Sequence, residues 1–337
     1  MIHCRFYLFL MLGLFSVPAF SFADCFYPVT SINDANLNSP INYIQATTSG
    51  DWKSGTFGMV RDSGTKFHEG WDLRAFKRNS NGRVLDEVFS VCDGVIVHIC
   101  NENNGSYGKY VVVEHQSFNI RYYSLYAHLD YISSFLHEGN FISAGTVLGI
   151  IGATSSTYKI PKGLEHLHFE TGLRLSNDSF QKWYDRTFDK EDKNLHASWN
   201  GLNLSGLDPE LFFRVLSKKR NSDFKTVLDS VPHAFSVAVY SNCIPEIIEH
   251  SPGLLKGKLD LDRSPVGWKV EFSWSGLPLG FYPIYATGNN KSIDILYVSN
   301  KYIHLCLKKG MVVSSGDTIL PGNSLRNVLE IIFGDVF

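Results

Sequence analysis

The 337-residue chain has little net charge, 31 basic against 33 acidic residues, so no general field draws it to nucleic acid. Past the first residues no stretch approaches the roughly 18 uninterrupted apolar residues that a membrane-spanning helix needs. Cysteine is sparse, six in all, and none shows the short paired spacing of a zinc-thiolate site. There is no H-E-x-x-H helix, no internal repeat and no low-complexity segment. What remains is an ordinary globular balance, 44% hydrophobic and 19% charged, which leaves no disordered class to consider. The 14% aromatic content suits β-structure and an extended groove, although core packing accounts for most of it.

The first 23 residues are not fold. Arg5 precedes an apolar run, Phe6 to Phe15, and Pro18 comes soon after it. Ser21 and Ala23 then place small residues three and one before a cut. This reads as a secretory signal peptide cleaved after Ala23, and it predicts an exported protein, periplasmic or extracellular. Asp24 stands where a lipoprotein would need cysteine. Loss of Cys4 leaves Cys25, Cys92, Cys100, Cys243 and Cys306, an odd set with at least one thiol unpaired or intermolecular. Cys92 and Cys100 flank a strand of about 26 Å, too long to bridge unless Asp93-Gly94 folds the chain back. Cys243 with Cys306 is the expected staple of the second half.

The pattern divides the remainder. Residues 24–55 are rich in Asn, Ser and Thr and read as an arm that packs loosely or wraps the first domain. Over 56–205, short apolar or alternating runs lie between Gly, Asn, Ser and Asp clusters: 89–92, 95–99, 109–115, 121–128, 146–151 and 164–171. Such runs predict an antiparallel β-sheet domain with hairpin connections, one of them at Asn101–Gly105. A helical linker is expected over 206–225, with Pro209 in its first turn. Residues 226–337 read as a second β-rich domain, with strands at 234–240, 268–274, 293–298 and 302–307 and a closing helix over 324–333.

Five residues of the first domain carry chemistry. His68 and Asp72 stand four apart, and Gly70 between them favours a loop entering a strand. Taken alone, H-x-x-x-D reads as well as a surface histidine and a salt-bridging aspartate. His166 and His168 interleave with Leu167 and Phe169, so both imidazoles project from one strand face about 7 Å apart. A pair of hydrogen-bonded core histidines is the competing reading. His128 ends a strand whose alternation places Tyr122, Ser124, Tyr126 and His128 on one polar, aromatic face, as on a groove floor. Tyr126 is therefore a candidate substrate contact, and so is Arg61, for which a salt bridge competes. Glu165 and Glu170 flank the H-x-H and could supply a base, but no helix motif supports that. His115 reads as structural.

At these residues the chain resembles a family. The segments FHEGWDLRA, YGKYVVVEH, YSLYAHLDYI, GTVLGIIG and LEHLHFE look like the successive signatures of the LytM/lysostaphin-type zinc metallopeptidases of peptidase family M23. The resemblance covers about residues 56–175. It implies a small antiparallel β-fold with an elongated groove and one Zn2+ per chain. It places the metal ligands at His68, Asp72 and His168, and the catalytic pair at His128 and His166. Three protein ligands leave zinc one open position, as catalysis requires. The resemblance also implies the substrate, peptide cross-links of bacterial peptidoglycan presented as stem peptides or cross-bridges. Two other functions stay open. One is a non-catalytic regulator that binds another wall hydrolase through the groove; a complete ligand set argues against it. The other is a metallopeptidase acting on an exported protein. The polar arm suggests a third expectation, a latent form in which an arm Asn or Asp fills the open metal position.

Overall fold

Alternation along a strand, one face toward each of two apolar clusters, explains the architecture. The computed structural model describes residues 26–61, 66–218, 222–260, 262–285 and 293–334, so the expected signal peptide and Cys25 lie outside the described residues. The largest sheet has seven strands: β1 (Trp71–Arg74), β2 (Gly94–Asn104), β3 (Gly108–Ser117), β4 (Ile120–Ala127), β5 (Phe141–Ile142), β6 (His166–Arg174) and β7 (Leu204–Leu207). It runs β7-β6-β4-β3-β2-β5 and is antiparallel throughout. β1 lies on the same edge of β6 as β7, pairing with its first four residues while β7 pairs with its last four. Residues 110–113 of β3 show how the sheet is filled. Val111 and Val113 enter the main core, whereas Tyr110 and Val112 enter a smaller cluster with Tyr107, Tyr123, Leu125, Ala127 and Trp199. A β-sheet buried on both faces reads as a continuous apolar run, as YVVV does here.

A three-stranded sheet (Glu87–Phe89, Val147–Ile151, Leu129–Ile132) contributes Val88, Leu148 and Ile151 to the main core. The hairpin between β2 and β3 turns at Gly105, later than expected, because residues 101–104 still belong to the strand. The arm does not pack loosely. Tyr43 and Ile44 are fully buried, and Val29, Ile32 and Leu37 join the main core. Arg74 N–H donates to Tyr43 O (2.8 Å) and Gln45 N–H to Asp72 O (2.7 Å), so the arm lies along β1 like a further short strand.

Beyond β7 a helix spans Pro209–Lys218, its start held by Asp208, whose carboxylate accepts from Glu210 N–H (2.9 Å). The next helix, Phe224–Ser230, is capped by Asp223 on Thr226 N–H (2.6 Å). These satisfy backbone donors that a helix start leaves unpaired. A four-stranded antiparallel sheet comes next, ordered Pro278–Ile284, Gly267–Phe272, Phe235–Val239, Ile293–Val298. The protein is thus mainly antiparallel β, with a β-rich C-terminal half. Both halves feed one continuous apolar core. Phe224 stacks on Tyr122 of β4 with ring centroids 4.0 Å apart.

Two expectations fail in this half. The run at 302–307 is a helix, Ile303–Lys309, stopped by Gly310 in the left-handed conformation (φ 74°). Glycine at that position ends helices without a Cβ penalty. The Cys243–Cys306 staple is absent: Cys306 is buried in the core while Cys243 is exposed, and both are free thiols. No helix among the described residues is long and apolar enough to cross a membrane.

Candidate metal centre

Strand register brings the first two side chains together. On β6, His168 is paired with Asp72 of β1 on one side and Ala127 of β4 on the other. Directly paired residues share a face, so Asp72 and His168 project together from the side of the smaller cluster. β1 can lie this close because residue 70 is glycine; a Cβ there would stand 2.2 Å from Phe169 O. His68 comes from the turn ahead of β1, which is fastened by His68 N–H to Met59 O (2.8 Å) and Gly58 N–H to His68 O (2.9 Å).

His128 reaches the site by breaking the alternation. Its φ is 62°, in the left-handed region that histidine tolerates better than most residues. This turns the imidazole from the main-core side, where Tyr126 points, to the side of His168. The inference of a shared Tyr126–His128 face is therefore corrected. Tyr126 is fully buried against Phe169, and its hydroxyl accepts from Val91 N–H and Ser124 O–H (2.9 Å each). It does not face the groove.

Three donor atoms converge. His68 Nε2 lies 3.0 Å from Asp72 Oδ1, His168 Nδ1 lies 2.9 Å from the same oxygen, and the two nitrogens are 3.2 Å apart. All three residues are buried. The opposite ring nitrogens are spoken for. His68 Nδ1 meets Thr56 O (2.8 Å) and His168 Nε2 meets Glu170 Oε1 (2.7 Å), which fixes the tautomers that aim a lone pair at the common point. Glu170 is itself held by the hydroxyls of Tyr107 (3.0 Å) and Tyr123 (3.2 Å). The outer oxygen of Asp72 accepts from Arg61 (2.7 Å), whose guanidinium also donates to Ser54 O. Two imidazoles and a carboxylate at these spacings, each braced from behind, fit a tetrahedral zinc ion with one position left open.

The remaining histidines follow the same plan. Nδ1 of His128 meets Thr154 O and Nδ1 of His166 meets Leu164 O, each at 2.8 Å. His166 Nε2 is 3.6 Å from Asp72 Oδ1, and the His128 ring lies 4.9 Å from that of His166 and 5.8 Å from that of His168. Burial, with the neighbouring His166 and His168, holds His128 well below the usual histidine range and favours its neutral form. Burial also lowers His68, against the pull of Asp72. Burial works against ionised Asp72, but His68 and His166 and the hydrogen bonds from the imidazoles hold it well below the carboxylate range.

Sequence reasoning missed Tyr158. Its hydroxyl lies 3.1 Å from His128 Nε2, and burial pushes its pKa up to about 12, so it stays a donor. It sits on an irregular loop with no period to betray it. Glu170 was noticed only as a flanking acid, although it shares the His166–His168 face by simple alternation. Glu165 lies aside, paired with Arg78 (2.7 Å), and His115 is buried between Asp93 O and Ser124. No arm Asn or Asp among the described residues bonds to the histidine cluster; Asp34 serves Tyr27, Asp51 caps Lys53, and Asn38 serves Arg214. A cavity of about 330 Å³ opens beside Asp72 and His166, with arm residues 45–48 along one wall.

Residues 66–179 match the sequence profile of Peptidase family M23. This stretch is an M23 peptidase domain. It contains His68, Asp72, His128, Tyr158, His166, His168 and Glu170; Ser54, Thr56 and Arg61, which brace His68 and Asp72 from behind, precede it. The chain is similar to the catalytic domain of lysostaphin from Staphylococcus simulans, at 18% identity over 54% of this chain and 98% of that one (TM-score 0.31). It is similar to a zinc containing peptidase from Vibrio cholerae, at 24% identity over 44% and 37% (TM-score 0.29). A third likeness is the catalytic domain of the prophage-encoded M23 protein EnpA from Enterococcus faecalis, at 16% identity over 45% and 87% (TM-score 0.29). The chain spans less than half the length of the Vibrio structure and of an M23 structure from Pseudomonas aeruginosa. No curated protein matches it.

Proposed function

We propose that this protein is an exported zinc metalloendopeptidase that hydrolyses peptide cross-links of bacterial peptidoglycan. The observation that carries the reading is the triangle of His68 Nε2, Asp72 Oδ1 and His168 Nδ1, with His166 Nε2 3.6 Å from that oxygen and the His128 ring beside those of His166 and His168. A zinc ion held there supplies Lewis acidity to the scissile carbonyl and makes a nearby water easier to deprotonate. The chain's own groups do the rest. Neutral His128 accepts a proton from the attacking water, and it or His166 returns one to the leaving amine. Tyr158 donates a hydrogen bond toward His128 and is placed to share it with a developing oxyanion. Arg61 and Glu170 keep Asp72 and His168 in position. The leader-like residues 1–23 support export, to the compartment where this substrate lies. In the same reading the M23 unit occupies 56–205, and 206–225 links it to a C-terminal unit at 226–337.

The test is incubation of the zinc-loaded protein with cross-linked muropeptides, with and without chelator, beside a His166→Ala variant. Cleavage at one type of bond, abolished by chelator and by the substitution, is expected. Intact muropeptides in every lane would overturn the proposal.

A further inference from the structure

The cavity beside Asp72 and His166 is lined by three cations, two of which the hydrolytic chemistry does not use. Arg61, Lys66 and Lys159 all line it, and Asp72 is the one carboxylate among its described lining residues. Asp72 is already spent, with Arg61 on one oxygen and two imidazoles on the other. Lys66 and Lys159 are exposed and, among the described residues, neither pairs with a carboxylate. Lys66 Nζ instead leans over the ring of Tyr158, 4.8 Å from its centroid, and the Tyr158 hydroxyl reaches His128. The surplus positive charge therefore sits one side chain from the reacting centre. The rest of the lining mixes apolar side chains, Ala46, Ile160, Pro161 and Leu164, with the polar Gln45, Thr47 and Thr48.

We propose that the cavity rimmed by Lys66 and Lys159 binds a free carboxylate of the peptide substrate, on a residue next to the bond that is cut. The proposal rests on the peptidase reading above and narrows it. It selects cross-links that carry a carboxylate beside the scissile bond over uncharged glycine bridges. A carboxylate between two ammonium groups gains charge-assisted hydrogen bonds, and a partly enclosed site screens them less than open water does.

The experiment compares two cross-linked muropeptides that differ only in having that carboxyl free or amidated. The wild-type enzyme should cleave the free form with kcat/KM about tenfold higher, through KM, the effect expected of a charge-assisted hydrogen bond. The Lys66→Gln/Lys159→Gln double variant should lose that advantage and leave the amidated form unaffected. Both lysines are exposed, so the variant should fold. Equal cleavage of the two forms by the wild type, or an equal loss on both in the variant, overturns the carboxylate site while the peptidase reading stands. Calorimetric binding to His166→Ala gives the same comparison without turnover. If the free form binds no tighter than the amidated form, the site is overturned. Carboxylate-dependent binding with no cleavage by the wild type would support the site and overturn the peptidase reading instead.

Discussion

Lys309 Nζ lies 2.6 Å from Glu69 Oε1, so the C-terminal half grips the residue next to the first candidate metal ligand. The same ammonium sits 3.6 Å above the ring of Phe67, and Trp274 packs edge-on against Phe57 and Phe67. The turn that carries His68 is thus clamped from a part of the chain 240 residues away.

Replacing the clamp should loosen that turn. Lys309→Met keeps much of the apolar stem and leaves Glu69, whose pKa burial already raises, without its cation. A loss of about 1–3 kcal/mol is expected in urea unfolding of the zinc-free protein. Zinc affinity, measured by competition with a chelating dye, should fall as well. Unchanged affinity would show that the C-terminal half does not support the metal site.

Arg61 holds the outer oxygen of Asp72 while donating to Ser54 O. Groups that orient metal ligands typically contribute about 10- to 100-fold in affinity. Arg61→Ala should lower zinc affinity by that order. Arg61→Lys should recover only part, since one ammonium cannot reproduce the guanidinium fork. If Arg61→Ala binds zinc as the wild type does, the residue serves the cavity rather than Asp72.

Tyr158→Phe removes one hydroxyl and little else. The ring is 41% exposed, so stability should stay within about 0.5 kcal/mol. A fall of about 10- to 100-fold in kcat, with KM nearly constant, is the outcome expected for a donor that acts in the transition state. A change confined to KM would make Tyr158 a substrate contact only.

His115 predicts an acid limb in stability. It is 2% exposed, and burial lowers its pKa to about 4 against an ordinary 6.5. A depressed histidine is neutral in the fold, so the unfolded chain binds the proton first. Stability is therefore full above pH 6.5 and declines as the pH falls toward 4, by about 3 kcal/mol from this group. Denaturant unfolding of the wild type and of His115→Asn across that window separates the contribution; parallel pH profiles would contradict it.

Much of the site was legible because its residues obey a strand's period of two. His166, His168 and Glu170 alternate with Leu167 and Phe169, and the pattern survives folding unchanged. Tyr126 was misplaced for a reason the same period cannot reveal. A single left-handed residue at His128 turns one side chain over, and backbone dihedrals are invisible in a pattern of polar and apolar letters. The helix at Ile303–Lys309 was hidden similarly, since Tyr-Ile-His-Leu-Cys-Leu fits a strand until tertiary packing buries Cys306 and Gly310 ends a helical turn. The arm's polar composition concealed Tyr43 and Ile44, two buried residues that lay it along β1.

The sequence by itself determined which donors are available and roughly which faces they share, because residue type and spacing are local properties. It could not determine that Asp72 stands opposite His168, that Arg61 and Ser54 brace the carboxylate, or that Lys309 holds the His68 turn. Those relationships join residues far apart in the chain. Only the register of β1 on β6 and the burial of both halves in one core bring them within hydrogen-bonding distance.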